Sequence, residues 1–247
     1  MEVHPHSHTE RKKWTHYFWE FLMLFLAVFC GFLAENQREH MIEHQREKEY
    51  IRSFVEDLKQ DTAQLKKVIG SLDEKLLFKD SLLSELANPD VFKNSSKAYF
   101  FFTMSWHFPD FIYTDRTIQQ LKNSGGMRLL RNKAVSDSIV DYDSKVRTVF
   151  ISQELLNGGS LRYGFEKSKL FQVRLIDTAI KGFQDPKIPL LTENKNDVEE
   201  FYNNMLDHKG FFIHLKSLDT DLLERGTRLI AFIEKEYGLS EGTPLEK

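Results

Sequence analysis

The feature that most constrains this 247-residue sequence is one unbroken helical pattern that runs from about Trp14 to Leu86. Its first part is apolar and its last part carries a heptad repeat. A chain organised around such a helix is expected to be all-α, with the helix packed in a bundle, in a coiled coil or in both. No stretch of the sequence specifies a substrate or a reaction.

The apolar part of the pattern, residues 14–34, has the length of a transmembrane helix. At 1.5 Å per residue it extends for about 30 Å, the thickness of one hydrocarbon core. Glu20 is its only charge, and Trp14, Tyr17 and Trp19 crowd its N-terminal end. Aromatic side chains in that position are typical of the membrane interface, so the segment is predicted to span a bilayer.

A cleaved signal peptide is the first alternative, because basic residues precede the apolar segment. The small-x-small cleavage pattern is missing, since Phe32 and Leu33 precede Ala34. Cys30 does not form a lipoprotein site either, because Phe29 stands where a small residue is needed. We therefore predict an uncleaved anchor.

The orientation of this anchor is predicted from its flanking positive charges. Arg11, Lys12 and Lys13 form a tight cluster before the span, and the basic residues after it are more widely spaced (Arg38, Arg46, Lys48 and Arg52). The cluster favours a cytoplasmic N-terminus. Residues 1–13 are then a disordered cytoplasmic tail, and the remainder of the chain lies outside the cytoplasm. The tail histidines His4, His6 and His8 are expected to be solvated.

The heptad repeat begins at Ile51. Its d positions are Ile51, Leu58, Leu65, Leu72, Lys79 and Leu86, and its a positions are Val55, Thr62, Ile69, Leu76 and Leu83. This pattern favours a parallel two-stranded coiled coil, and Asp61 with Lys66 and Lys75 with Asp80 have the spacing and signs of pairs between two such helices. Apolar residues at the g positions Phe54, Val68 and Leu82 widen the stripe, as in a helix of an intrachain bundle. We predict mainly a bundle over 51–238 and leave the coiled coil open.

Residues 35–50 are polar nearly all round and are predicted to form a charged helical stalk. Glu35, Glu39, Glu43 and Glu47 lie at i, i+4 spacing along it. The stalk also contains His40, Glu43 and His44 in the H-x-x-E-H order of inverted zinc metallopeptidases. No later stretch supplies an obvious third ligand in a walled pocket, so we predict no metal site and keep the peptidase as a remote alternative.

The rest of the sequence predicts further helices separated by turn signals. Asn88-Pro89-Asp90 ends the first helix, and an aromatic segment over 99–113 is predicted to fill the core of a small domain. A short helix capped by Thr114 or Asp115 closes at Gly125-Gly126. A longer one runs from Asn132 to about Asn157, is broken by Gly158-Gly159 and is followed by another to about Lys181.

A turn over 185–189 is the expected place for an extended segment. The last helix is predicted to begin at Asn196 or Asp197 and to end at about Tyr237, with a possible break near Gly210. Its buried stripe is Val198, Phe201, Met205, Phe212, Leu222, Leu229 and Ile233. Residues 239–247 are expected to be a flexible tail.

Composition excludes several classes of protein. The net charge of −3 gives no electrostatic basis for binding nucleic acid. A single cysteine, Cys30, excludes an intrachain disulfide and a cysteine-type zinc site. We predict no catalytic residue, no cofactor and no metal ligand.

Two segments together resemble an uncharacterised bacterial family of single-pass membrane proteins. The first is Tyr50-Ile-Arg-Ser-Phe-Val-Glu-Asp-Leu-Lys-Gln-Asp61, which follows the anchor and stalk. The second is Asp115-Arg-Thr-Ile-Gln-Gln-Leu-Lys-Asn-Ser-Gly125 with the following Met127-Arg-Leu-Leu-Arg-Asn132. This sequence departs from that family in Glu20 and in Gly126. The resemblance implies a helical protein of the bacterial inner membrane and carries no catalytic residues.

Three functions therefore remain open. The first is a non-enzymatic, membrane-tethered bundle in the periplasm that acts as a partner-binding, scaffold or sensor module, with the aromatic segment and the last helix as its binding face. Its partner would be another protein or a second copy of the chain. The second is a subunit of a larger membrane complex, with Glu20 as an intramembrane contact. The third is the zinc metallopeptidase built on His40, Glu43 and His44.

Overall fold

The first helix, α1 (Trp14–Leu86), is continuous over the whole predicted pattern. A computed structural model describes residues 14–176 and 187–239, with the side chains of 160–168 and 173 excepted. Within these ranges α1 is followed by α2 (Ser96–Met104), α3 (Arg116–Asn123), α4 (Lys133–Leu170) and α5 (Lys195–Tyr237), joined in part by short 3-10 turns at Pro89–Phe92, Gly126–Leu129 and Val173–Leu175. The described residues contain no strand, so the predicted all-α class is confirmed. The predicted tail over 1–13 and all of the predicted tail over 239–247 except Leu239 lie outside the described ranges.

The chain divides into two compact units, residues 1–49 and residues 50–247. In the first unit, α1 contains an 18-residue window of mean hydropathy 2.0, of which 0% is buried inside the protein. Length and composition therefore allow this stretch to cross a membrane, as predicted for residues 14–34.

The stalk is helical, but one of its glutamates is not solvated. Glu47 is 1% exposed, and one of its carboxylate oxygens lies 3.2 Å from Nδ1 of His44. Glu35 forms an ion pair with Arg38, and Glu43 lies 3.7 Å from His40. These local pairs offset the mutual repulsion expected of the glutamate stripe.

The second unit is a bundle of α1, α4 and α5 with α2 and α3 packed on it. Helix α5 runs antiparallel to α1, because Lys59 pairs with Glu234 at 2.7 Å while Asp80 pairs with Lys209 further along. It also runs antiparallel to α4, since Asn132, just before α4, donates a hydrogen bond to Glu236 at 2.8 Å while Asp141 lies 3.1 Å from Arg225. Ion pairs thus mark both outer edges of α5.

The heptad seam of α1 is used within the chain. Every a and d residue from Ile51 to Leu86 is buried or half-buried in the second unit, and so are the g residues Phe54, Val68 and Leu82. The predicted intrachain bundle is therefore confirmed, whereas pairing with a second chain stays a prediction. Asp61 is completely buried and accepts hydrogen bonds from Thr114 and Tyr142 within the chain, although its spacing from Lys66 suggested a pair between two helices.

The buried side chains form two apolar clusters. The first cluster contains α1 residues from Ile51 to Leu72, Ile118, α4 residues from Val135 to Leu156, and α5 residues from Phe212 to Ile233. The second contains Leu82, Leu83 and Leu86 of α1, Phe171, and α5 residues from Val198 to Met205. Aromatic rings dominate it, with Tyr99 and Phe102 of α2 centred 4.8 and 5.0 Å from Phe171. The aromatic segment is thus largely core, as predicted.

Two helix predictions at glycines are wrong. Helix α4 continues through Gly158-Gly159 to Leu170, and α5 continues through Gly210. Glycine costs about 1 kcal/mol relative to alanine in a helix, but it keeps its N–H donor and does not end a helix by itself. Gly125 does end its segment, because it adopts a left-handed φ of 68°.

Some predicted boundaries also change. Asn194 rather than Asn196 or Asp197 caps α5, with its side chain accepting a hydrogen bond from the Asn196 amide. The end of the helix predicted to reach Lys181 and part of the 185–189 turn lie outside the described residues. At the C-terminal end, Leu239 packs against the first cluster, so the ordered part extends into the predicted tail.

Candidate functional site

Charged side chains inside the bundle are the best candidates for a functional site, because burying a charge is costly and needs compensation. The fold buries several of them (Asp57, Asp61, Lys79, Asp143, His208 and Asp219). They differ in how completely hydrogen bonds and opposite charges compensate them, and this difference separates groups with a structural role from candidates for a functional one.

Lys79 occupies a heptad d position and is 0% exposed. Its amine lies 3.1 Å from Nδ1 of His208 on α5 and 4.2 Å from the centre of the Phe212 ring. A cation above a ring face is attracted by the ring quadrupole. In the part of the chain that the structure describes, no ion pair links Lys79 to a carboxylate. The Lys79 amine is therefore buried next to an imidazole, and no described carboxylate balances its charge.

His208 lies between two aromatic rings. The Trp106 ring is centred 5.3 Å from the imidazole and the Phe212 ring 5.1 Å from it. Burial lowers the pKa of Lys79 to about 7. Burial, and then the charge of Lys79, lower the pKa of His208 to about 3. At pH 7 the imidazole is therefore neutral, and its Nδ1 can accept a hydrogen bond from the Lys79 amine.

The Lys79–His208 pair lies at the boundary of the two apolar clusters. On α1 it is flanked by Leu72 of the first cluster and Leu82 of the second. On α5 it is flanked by Phe212 of the first cluster and Met205 of the second. The pair is thus a polar contact between two antiparallel helices, with an apolar cluster on either side of it.

Asp219 lies further along the same stripe of α5, among first-cluster residues. Its side chain is 0% exposed, and neither carboxylate oxygen has a hydrogen-bond partner among the described residues. Burial raises the pKa of Asp219 to about 7. The carboxyl group is consequently poised to take up a proton near neutral pH.

Asp57 and Asp61 of α1 are buried too, but they are fully engaged. Asp57 accepts hydrogen bonds from Nε of Arg116 at 2.6 Å and from the Thr117 amide at 3.1 Å. Asp61 accepts from the Thr114 amide at 2.9 Å and from the Tyr142 hydroxyl at 3.3 Å. Burial nevertheless raises the pKa of Asp61 to about 6. Together they fix the start of α3 on α1.

This arrangement corrects the predicted cap of α3. Asp115 makes no side-chain cap hydrogen bond, and the Asp57 carboxylate from α1 binds the first-turn amide instead. Gln153 of α4 completes the attachment by accepting from the Phe111 amide and donating to the Phe111 carbonyl. We call Asp57, Asp61 and Gln153 the clamp. It joins the two segments that carry the family resemblance, since Asp57 and Asp61 belong to the first and Arg116 and Thr117 to the second.

Of the candidate residues named from the sequence alone, Glu20, His40 and His44 are exposed and Glu43 is half-buried. Glu20 lies 2.9 Å from Nε2 of His16 on the same helix face. His40 and His44 each lie beside a different glutamate, Glu43 and Glu47. The described residues contain no group of three or more His, Cys, Asp or Glu side chains that could hold a metal ion. The geometry therefore adds no third ligand to the peptidase motif.

The surface of the bundle has two clefts of note. One, of about 420 Å³, is lined by Asp137, Asp141, Arg225 and Arg228 with neighbouring apolar side chains. The other, of about 390 Å³, lies between the end of α1 and the start of α5. Lys79, His208 and Asp219 line neither cleft.

The sequence carried a signal for these buried groups that the predictions did not use. The stripe predicted for α5 skips from Met205 to Phe212 and from Phe212 to Leu222, although a helix buries a residue every three or four positions. His208 and Asp219 fill these gaps. In the structure Leu215 is also buried in the second gap. Lys79 is likewise a charged residue at a d position, where the heptad repeat otherwise has apolar residues.

Comparisons with protein-family models, with curated proteins and with solved structures find no match. What the fold defines is a class: an all-α chain with one helix stretch that could cross a membrane and a bundle with charges in its core. The family resemblance stays a prediction.

Proposed function

We propose that this protein is a non-enzymatic single-pass membrane protein whose helical bundle binds a partner or senses a signal outside the cytoplasm. One observation supports the proposal above all. The apolar window of α1 has 0% of its residues buried inside the protein, although α1 buries its apolar residues from Ile51 onward. A continuous apolar surface of this length is stable in hydrocarbon and unfavourable in water.

The proposed location is the bacterial inner membrane, with the N-terminus in the cytoplasm and the bundle in the periplasm. The basic cluster Arg11–Lys13 supports this orientation. Trp14, Tyr17 and Trp19 are all exposed, as side chains at a membrane interface would be in the absence of lipid.

A non-enzymatic role is supported by where the perturbed titratable groups lie. A catalytic group must reach its substrate, but Lys79, His208 and Asp219 are completely buried and line neither cleft. Groups in such positions affect the stability of the fold, and so they suit a sensor better than an enzyme.

The partner-binding face is proposed to lie on α5 and not on the aromatic segment. Tyr99, Phe102 and Phe111 are in the core, so the segment presents little of the binding surface expected of it. Helix α5 instead leaves Leu206, Phe211 and Ile213 exposed. The partner is another protein or a second copy of this chain.

Topology is the first property to test. In a Cys30→Ser background, Glu193→Cys places a thiol at an exposed position just before α5, and Ser7→Cys places one in the N-terminal tail. A membrane-impermeant maleimide added to intact spheroplasts should label position 193 and leave position 7 unlabelled until the membrane is broken. Labelling of position 7 alone would refute the proposed orientation.

Partner binding is tested by purifying the detergent-solubilised full chain and identifying what co-elutes. Phe211→Ser should weaken recovery of the partner, whereas Ile151→Ser, an equally exposed apolar residue on α4, should not. Equal recovery with both variants would remove α5 as the binding face.

A second candidate function is a subunit of a membrane complex held by Glu20. The observation that favours it is the 2.9 Å contact between Glu20 and His16, which places a paired polar group within the apolar segment. Glu20→Leu removes charge and hydrogen bonding, while Glu20→Gln keeps most of the hydrogen bonding. Unchanged assembly with Glu20→Leu would eliminate this contact.

A further inference from the structure

Lys79 and His208 form the one place where α1 and α5 bring two basic groups together inside the described part of the bundle. The amine is 3.1 Å from the imidazole, and the imidazole is in contact distance of Trp106 and Phe212. When both groups carry a proton, two positive charges face each other in a medium of low dielectric constant. A second proton on the pair therefore weakens the contact between the two side chains.

We propose that the Lys79–His208 pair is a proton-operated joint, at which acidification separates α5 from α1 and from Trp106 while the clamp region of the bundle stays folded. The position of the pair supports a local opening, because it lies at the boundary of the two apolar clusters. Each cluster packs α1 against α5 on its own side of the pair, so the two helices can separate locally at the pair while both clusters stay packed.

The direction of the pH dependence follows from the sign of each shift. The pKa of Lys79 is lowered from 10.5 to about 7, so the closed contact loses stability as the pH falls through this range. The pKa of His208 is lowered from 6.5 to about 3, so a further loss begins below pH 6.5. Both groups therefore favour the closed contact at high pH and the open contact in acid.

The buried carboxyl groups of Asp61 and Asp219 have the opposite pH dependence, and they lie among residues of the first cluster. The pKa values of Asp61 and Asp219 are raised to about 6 and about 7, so proton uptake stabilises their surroundings as the pH falls. Acid is thus expected to loosen the joint and to stabilise the first cluster. Because acid destabilises the Lys79–His208 contact and stabilises the first cluster, the opening is confined to the joint.

Other titratable groups near the pair have their own contacts or are exposed. Lys209 of α5 binds Asp80 of α1, and Lys75 lies 3.6 Å from Glu74. His107, next to Trp106, is exposed, as is Asp207. No ion pair connects any of these groups with Lys79 in the described ranges.

Trp106 provides a direct optical test, because the chain contains only three tryptophans and the other two, Trp14 and Trp19, lie in the apolar segment. In the full chain with Trp14→Phe and Trp19→Phe, the emission of Trp106 should shift to longer wavelength between about pH 8 and about pH 5 and return on neutralisation. The Lys79→Met/His208→Leu variant should lose this shift, because neither replacement takes up a proton. Lys75→Met, on the same helix but outside the pair, should retain it.

An unchanged emission over this pH range would overturn the proposal, and so would the same shift in the double variant. If the double variant loses its helical circular dichroism, Lys79→Met/His208→Gln replaces it, since glutamine keeps a hydrogen-bonding side chain and neither replacement carries a proton that titrates in this range. The inference extends the sensing role proposed above. Maleimide labelling at position 193 tests the topology separately, so failure of the joint and failure of the membrane proposal can be distinguished.

Discussion

The clamp and the Lys79–His208 joint both bury charge on α1, but only the clamp surrounds its charges with donors. Asp57 and Asp61 each accept two hydrogen bonds, from groups in α3, in α4 or in the segment between α2 and α3. At the joint, one base faces another. A buried charge that is fully hydrogen-bonded to opposite partial charges stabilises one arrangement. Among the described residues no carboxylate binds Lys79, so its charge is compensated less completely than the charges of the clamp. The clamp is therefore expected to stay closed at every pH at which the bundle is folded, whereas the joint is expected to open in acid.

The largest expected effect is at the clamp. Asp57→Ala should lower the free energy of unfolding by about 3 kcal/mol, because it removes a helix cap and a charged hydrogen bond together. Denaturant unfolding in detergent measures the change. Asp57→Asn keeps an acceptor for the Thr117 amide and should cost about 1 kcal/mol. If Asp57→Ala costs no more than the exposed control Asp115→Ala, the clamp does not hold α3.

The next effect has the opposite sign. Asp219→Leu should raise the free energy of unfolding by about 2 kcal/mol at pH 8, since it removes a buried carboxylate without described partners. Because the pKa of Asp219 is raised to about 7, the wild-type carboxyl becomes neutral on acidification and the gain should shrink toward pH 4. A loss of stability at pH 8 would show that the carboxylate has a partner and would weaken the contrast with the clamp.

A pair of glycines tests how closely α5 approaches its neighbours beside the clamp. A Cβ at Gly226 would lie 3.0 Å from Cγ2 of Thr62 and 3.3 Å from the Tyr142 ring. Gly226→Ala should therefore cost about 1 kcal/mol net, because steric strain exceeds the gain in helix propensity. Gly210→Ala meets no atom within 4 Å and should stabilise α5 by up to about 1 kcal/mol. Equal effects of both substitutions would contradict the close packing at Gly226.

The smallest effects are expected in the stalk. His40→Ala should change the free energy of unfolding by less than about 0.5 kcal/mol, because the side chain is exposed. His44→Ala should cost up to about 1 kcal/mol, since its ring contacts the buried Glu47. Elemental analysis of the purified protein should find the same metal content in both variants as in the wild type. Stoichiometric zinc that either variant loses would restore the peptidase hypothesis.

The contrast between clamp and joint also marks what could be predicted from the sequence. Periodicity identified α1, the end at Asn88-Pro89 and the buried stripe of α5, because apolar spacing dictates which helix face is buried. The clamp could not be predicted, since Asp61 and Gln153 bind backbone groups of the segment between α2 and α3, whose path depends on the whole fold. The joint was only partly visible, as a lysine at a d position and a gap in the stripe at His208.

The glycine errors have a different cause. Gly158-Gly159 and Gly210 lower helix propensity, but packing of the flanking turns overrides a local cost of about 1 kcal/mol per glycine. The predicted cap at Asn196 or Asp197 missed by a few residues, because Asn194, Asn196 and Asp197 are all good capping residues.

Hydrogen exchange on the full chain in detergent, at pH 8 and at pH 5.5, tests the contrast most directly. After correction for the intrinsic pH dependence of exchange, the account predicts that the amides of α5 around His208 lose at least about tenfold protection at pH 5.5, while those of α3 keep theirs. Loss of protection in both regions together would mean that acid unfolds the bundle as a whole. Unchanged protection around His208 would mean that the Lys79–His208 contact is static, and either result would contradict the account.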